Sequence, residues 1–276
     1  MEHLSLDRYC AEIVAQTGLL RSHIKDTDPA ADVPGIPGWS LARLLRHLGG
    51  AHRWTEKIVR TRAAGPVQDD QDTGPSLYAD VAPAALGSWL AEGAEQLADT
   101  LREAGPDVPV WTVAPGGTPL FWARRMTHET VVHRADAASA AGAEYAVDDA
   151  VGLDTVDEWL GFSTLAQAYP SAEDRAALLG PGRTLRLHAT DTAPGTPAHW
   201  LLDLTGEPVT WRRTTAEHLD GDRPATAATT AVHGPLADLV LLLYGRRTPD
   251  SETFTVHGDA ELLTSWQRGA SYWLRK

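Results

Sequence analysis

The 276-residue chain reads as an α+β protein: a four-helix bundle over residues 1–146, then a smaller α+β domain over 147–276 with a mainly antiparallel sheet. Two observations predict this. Up to about residue 146 the apolar residues recur at helical spacing, and beyond it they recur mostly with period two. The chain is 43% apolar and 22% charged, enough to bury two cores.

The first helix is expected over about 3–26, with Leu6, Tyr9, Cys10, Ile13, Leu20 and Ile24 inward. Pro34-Gly35-Ile36-Pro37-Gly38 breaks the chain, and Ser40 is placed to cap a second helix over about 39–62. Residues 64–80, with Gly65, Pro66, Gly74 and Pro75, read as a polar loop. A third helix over about 83–104 carries Leu86, Leu90, Leu97 and Leu101. The turn Pro115-Gly116-Gly117-Thr118-Pro119 then leads into a fourth, through Phe121, Met126, Glu129 and His133. Four such helices make a bundle. Next comes a helix over about 149–167 with Leu153, Val156, Trp159 and Leu160 inward. Alternating runs follow at Leu185 to Ala189, Trp200 to Leu204, Val209 to Trp211 and Ala228 to Val232, read as antiparallel strands with one covered face. A strand near Phe254 and Val256 and a helix over about 260–273 close the domain. Val232-His233-Gly234 and Val256-His257-Gly258 repeat a strand-to-turn string, read as chance turn chemistry because no longer period surrounds it.

A net charge of −13 argues against nucleic-acid and anionic-membrane partners, although small anions need only a local Arg or a metal. No apolar run is long enough to cross a bilayer, and the first residues lack a secretory layout, so the expected location is cytoplasmic. The single cysteine, Cys10, cannot form an intrachain disulfide and lies in an apolar pattern, as a buried structural thiol does. Any sulfur chemistry then needs an external thiol.

Glu129 and His133 lie four apart, one above the other on a helix face. This spacing suits a shared metal ion, but on spacing alone an ordinary pair on a solvated face is the commoner outcome. His128 and His133 are separated by roughly 140° around a helix, too far to share one ion easily, so the two-histidine metalloprotease signature is absent. His47 and His52 sit among apolar positions of the second helix, again roughly 140° apart. Asp136 can either orient a ligand imidazole or pair with a nearby Arg. His128 is expected as an exposed neighbour of the site. Trp39, Trp54, Trp111 and Trp122 could line a cleft, with most expected in the core.

Pro37-Gly38-Trp39-Ser40-Leu41-Ala42-Arg43-Leu44-Leu45-Arg46-His47-Leu48 resembles the start of the second helix of DinB-like bundles. Met126 to Asp136, through Glu129 and His133, resembles their last bundle helix. The branch resembled is the mycothiol-dependent maleylpyruvate isomerase family. Gly234 to Arg247 resembles a helix of its sterol-carrier-like second domain, while residues 64–80 and 170–182 carry no resemblance. The resemblance implies a divalent metal, zinc by preference, on His47, Glu129 and His133. Asp136 becomes a candidate for a supporting position, His52 for a supporting position or for interhelical packing, and Arg246 matches a family arginine that reaches toward the active site. Two neutral histidines and one carboxylate leave zinc about one net positive charge and an open position, as in catalytic sites. A thiol bound there is deprotonated.

The implied partners are mycothiol, as thiol cofactor or cosubstrate, and a small electrophilic substrate. The thiolate either adds to a conjugated double bond, lets it rotate and leaves, or stays on as the product of S-transfer. Arg246 would hold a carboxylate of thiol or substrate through its planar fork, or else complement a helix end. The expected assembly is a monomer or weak homodimer. The alternative from another class is a noncatalytic, metal-containing small-molecule binding protein.

Overall fold

The computed structural model describes residues 3–68, 78, 80–114, 116–169, 171–219 and 228–272. Most of the 64–80 loop, Pro115 and Trp273 therefore lie outside the described residues. The chain divides into two compact units, Met1–Tyr145 and Ala146–Lys276.

The first unit is built from α1 (Leu6–His23), α2 (Leu41–Arg60), α3 (Leu86–Ala104) and α4 (Pro119–Ala141). Ser5 and Ser40 cap α1 and α2 by accepting the backbone N–H of Arg8 and Arg43, satisfying donors that a helix start leaves open. Pro119 opens α4, where its missing N–H costs nothing, and Gly142 ends it in the left-handed region at φ 64°. Helix α1 packs on α3 and α4, and α2 packs on α3 and α4. Tyr9, Cys10, Ile13, Ile58, Leu97, Leu101, Trp122 and Met126 form one core cluster. A second surrounds Leu20, Leu41, Leu44, Leu48, Leu86 and Leu90. Helix α4 has no solvent face over most of its length: Arg125, Thr127, His128, Thr130, His133, Arg134 and Asp136 are all buried. Polar groups there need partners inside the fold.

The second unit has α5 (Asp149–Ser163), α6 (Ala172–Leu178), α7 (Ala216–Leu219), α8 (Leu236–Leu243) and α9 (Ala260–Ala270). Its strands are β1 (Thr184–Ala189), β2 (His199–Asp203), β3 (Thr210–Thr214), β4 (Thr230–Gly234) and β5 (Thr255–Gly258). The sheet order is β3-β2-β1-β4-β5, antiparallel throughout except that β1 and β4 run parallel. A mainly antiparallel sheet was expected; the parallel pair was not, because period-two patterning is blind to strand direction and only a crossover can bring two strands together that way. Nor does one covered face describe β1, where five of six residues are buried, as a central strand requires. Leu185, Leu187, Trp200, Leu202 and Val232 are fully buried. Trp200 donates its Nε1–H to Asp157 of α5 at 2.7 Å, and Arg213 of β3 pairs with the same carboxylate at 2.9 Å, so a buried charge is compensated. Helices α6 and α7, of seven and four residues, escaped the sequence reading because two turns or fewer display no periodicity. No helix among the described residues is long and apolar enough to cross a membrane.

Candidate metal centre

His47 projects from α2 on the stripe that carries Leu44 and Ala51, three residues before it and four after, so the packing of α2 against α4 turns it toward Glu129. Its Nε2 lies 3.2 Å from Glu129 Oε1, and His133 Nε2 lies 3.0 Å from the same oxygen. One ligand atom from each of the three residues falls within 4.8 Å of the others. The two imidazoles stand edge to face, with centroids 4.9 Å apart. On its other side His133 meets Asp136, with Nδ1 to Oδ2 at 2.8 Å.

Both nitrogens of His133 therefore face carboxylate oxygens, and the ring carries both protons. Burial opposes its charge, but the Glu129 carboxylate and the bonds to Asp136 and Glu129 outweigh burial and raise it to about 9. Burial likewise opposes the Glu129 charge, and His133, His47 and Arg125 overcome it, holding the carboxyl well below the usual range. Arg125 was missed in the sequence. Its Nη2 donates to Glu129 Oε2 at 2.6 Å, leaving Oε1 to the two histidines. The available signal was the ladder Arg125, Glu129, His133, each four residues from the next.

His52 does not join this cluster. It is fully buried and its Nε2–H donates to Thr130 Oγ1 at 3.0 Å, because the Thr130 hydroxyl is itself donating to Met126 O. Burial, then the Arg53 charge, pulls His52 down to about 3, so it is neutral. The expectation that His128 is exposed is wrong. It is 0% exposed and meets the edge of Tyr9, because α4 is enclosed by its neighbours. Trp39 and His47 pack edge to face at 5.1 Å, and the Arg43 guanidinium lies over the Trp39 ring. Trp54, Trp111 and Trp122 pack on one another instead. Cys10 is fully buried, and burial pushes its thiol up to about 11.

Arg246 follows α8 in the second unit. Its N–H bonds Leu241 O at 2.7 Å and Gly245 N–H bonds Leu242 O at 3.0 Å, with Gly245 at φ 73°, the paired pattern that closes a helix C-terminus. Its guanidinium donates to Tyr244 O at 2.7 Å, while the neighbouring Arg247 pairs with Asp238.

A helical bundle with a His–Glu–His cluster shared between two helices, continued by a sheet unit, defines a two-unit α+β protein with three side chains placed to hold a metal ion. The description "Mycothiol maleylpyruvate isomerase N-terminal domain" matches residues 10–138, and "MDMPI C-terminal domain" matches residues 150–265. The chain belongs to the mycothiol-dependent maleylpyruvate isomerase family, a family of enzymes. The fold agrees with crystal structures of the mycothiol-dependent maleylpyruvate isomerase. One match has TM-score 0.58 at 17% identity; another, to a histidine-to-alanine variant, has TM-score 0.59 at 16%. Each covers 93% of this chain and 95% of the other. No curated protein matches the chain in sequence.

Proposed function

We propose that the chain is a metal- and mycothiol-dependent enzyme that activates an external thiol, either to isomerise a small electrophilic substrate of the maleylpyruvate type or to transfer the sulfur to one. The observation that carries this reading is the convergence of His47 and His133 Nε2 on one Glu129 oxygen, inside the segment that matches the family's N-terminal domain. The two matched segments, divided after Tyr145, support reading 1–146 as a metal-binding domain and 147–276 as a sterol-carrier-like one.

The residues fit a divalent ion. Two imidazoles and a carboxylate oxygen are the donors zinc takes in open sites, and the proton pulled onto His133 marks where a cation is favoured. Held by these three residues, a divalent ion such as zinc would supply a positive field that lowers the pKa of a bound thiol. Asp136 accepts the Nδ1–H of His133 and so would leave the Nε2 lone pair facing an ion that displaces its proton. Arg125 holds the outer oxygen of Glu129 and keeps Oε1 available. Trp39 fixes the ring plane of His47. Cys10, buried and high in pKa, is unsuited as the working nucleophile, which supports mycothiol as the sulfur source. We assign Arg246 to a carboxylate of thiol or substrate, on the family correspondence of its position after α8. The absence of a spanning helix among the described residues is compatible with a cytoplasmic location. Metal analysis of the purified chain and of His133→Ala, with mycothiol-dependent turnover of maleylpyruvate and of electrophiles, tests the proposal: about one ion per chain that His133→Ala lacks, and no turnover without thiol, are expected.

A further inference from the structure

Among the described residues, the second unit gathers its own set of metal-capable side chains on one sheet face. His188 of β1 is the register partner of both His199 of β2 and His233 of β4. His257 of β5 is paired with Ala231, two residues before His233, so it shares their face. The alternate residues Leu187, Trp200 and Val232 are fully buried on the other face. The repeated strings Val232-His233-Gly234 and Val256-His257-Gly258 thus lie on adjacent paired strands.

His188 Nδ1 and His233 Nδ1 are 3.0 Å apart. That gap is a hydrogen bond between neutral rings, and it is also a chelate bite. Two nitrogens, each about 2.0–2.1 Å from an ion, stand about 2.9 Å apart at a right angle and about 3.3 Å apart at the tetrahedral angle. His199 stacks on His188 at 3.8 Å, but its Nδ1 faces Arg186 Nη2 at 3.3 Å, and the guanidinium charge keeps a cation off that side. His188 and His233 are half-buried, reachable from solvent, and His257 is exposed with its ring centroid 5.7 Å from that of His233. Burial first, then neighbouring His and Arg side chains, lowers both His188 and His233, which keeps them neutral as metal binding requires.

We propose that His188 and His233 form a chelating pair for a divalent transition-metal ion of the imidazole-preferring kind, and that exposed His257 supplies a third nitrogen by side-chain rotation. The pair shares no residue with the His47, Glu129 and His133 cluster of the helical unit. The chain's net charge of −13 favours cation capture at either.

Equilibrium dialysis of the full chain against Zn2+ at pH 7.5, followed by metal analysis, tests it. Wild type should hold one equivalent more than His188→Gln or His233→Gln, whatever the helical unit binds. His199→Gln should keep that equivalent, and His133→Ala should keep it too. His257→Ala, a change at an exposed side chain that leaves packing intact, should hold it less tightly. Equal zinc content in wild type, His188→Gln and His233→Gln, each folded by circular dichroism, would overturn the proposal, as would a wild-type affinity unchanged in all three histidine variants.

Discussion

Metal affinity in the helical unit should depend on pH through one ring. His133 is raised to about 9 by Glu129 and Asp136 against the pull of burial, so at neutral pH its Nε2 carries a proton that an incoming ion must displace. One proton released per ion bound makes affinity rise tenfold per pH unit below that value. Between pH 7 and 8.5 the gain is about 30-fold, about 2 kcal/mol at 1.36 kcal/mol per unit. Competition against a zinc chelator, corrected for the chelator's own protonation, reads this slope directly. Asp136→Asn removes one of the groups that raises His133, so its profile should flatten toward a plateau within the same range while affinity at pH 8.5 falls by about 10- to 100-fold. A wild-type affinity that is level from pH 7 to 8.5, or an Asp136→Asn profile parallel to wild type, would refute the reasoning.

The metal-free protein should show the opposite trend in stability: because His133 is raised on folding, its contribution is fully present below about 6.5 and is lost as pH rises through about 9, whereas depressed Glu129 contributes above about 4.5 and loses its part in acid. Urea melts in chelator at pH 6.5 and 9.5 measure this, and bound zinc should weaken the difference. Separate His47→Ala, Glu129→Ala and His133→Ala variants should each lose the ion of the helical unit, while His52→Ala keeps it and lowers the melting temperature, since it bonds Thr130 across the helices; retention of full metal by all three would remove the ligand assignment. Cys10→Ser should keep thiol-dependent turnover if the folded fraction is maintained. Arg246→Ala should keep the metal and lower kcat/KM by roughly 10- to 150-fold, the loss of a charge-assisted pair of about 1.5–3 kcal/mol, with Arg246→Lys restoring it only in part; wild-type kcat/KM in Arg246→Ala would leave the residue a structural part at the helix end.

The long helices were readable because each writes its apolar stripe over several turns, and Ser40 marks a start that the structure realises as a cap. Glu129 and His133 could be placed on one face from spacing alone. Bringing His47 to them depends on how α2 crosses α4, which no local pattern records, and the family motif supplied that step. Sequence reading failed on His128 because α4 is enclosed nearly all round, so polar residues along it no longer signal solvent. It also passed over the histidine row of the sheet. His188, His199, His233 and His257 are brought together by strand order, including a parallel pair, and lie far apart in the chain.

Mycothiol binding, measured by titration calorimetry on zinc-loaded and metal-stripped protein in buffers of different ionisation enthalpy, tests the central claim without requiring the acceptor substrate. The account predicts tight binding with release of about one proton to the zinc-loaded chain, and much weaker binding without proton release to the stripped chain and to zinc-treated His133→Ala. Equal affinity with and without metal, or binding to the loaded chain that releases no proton, would contradict it.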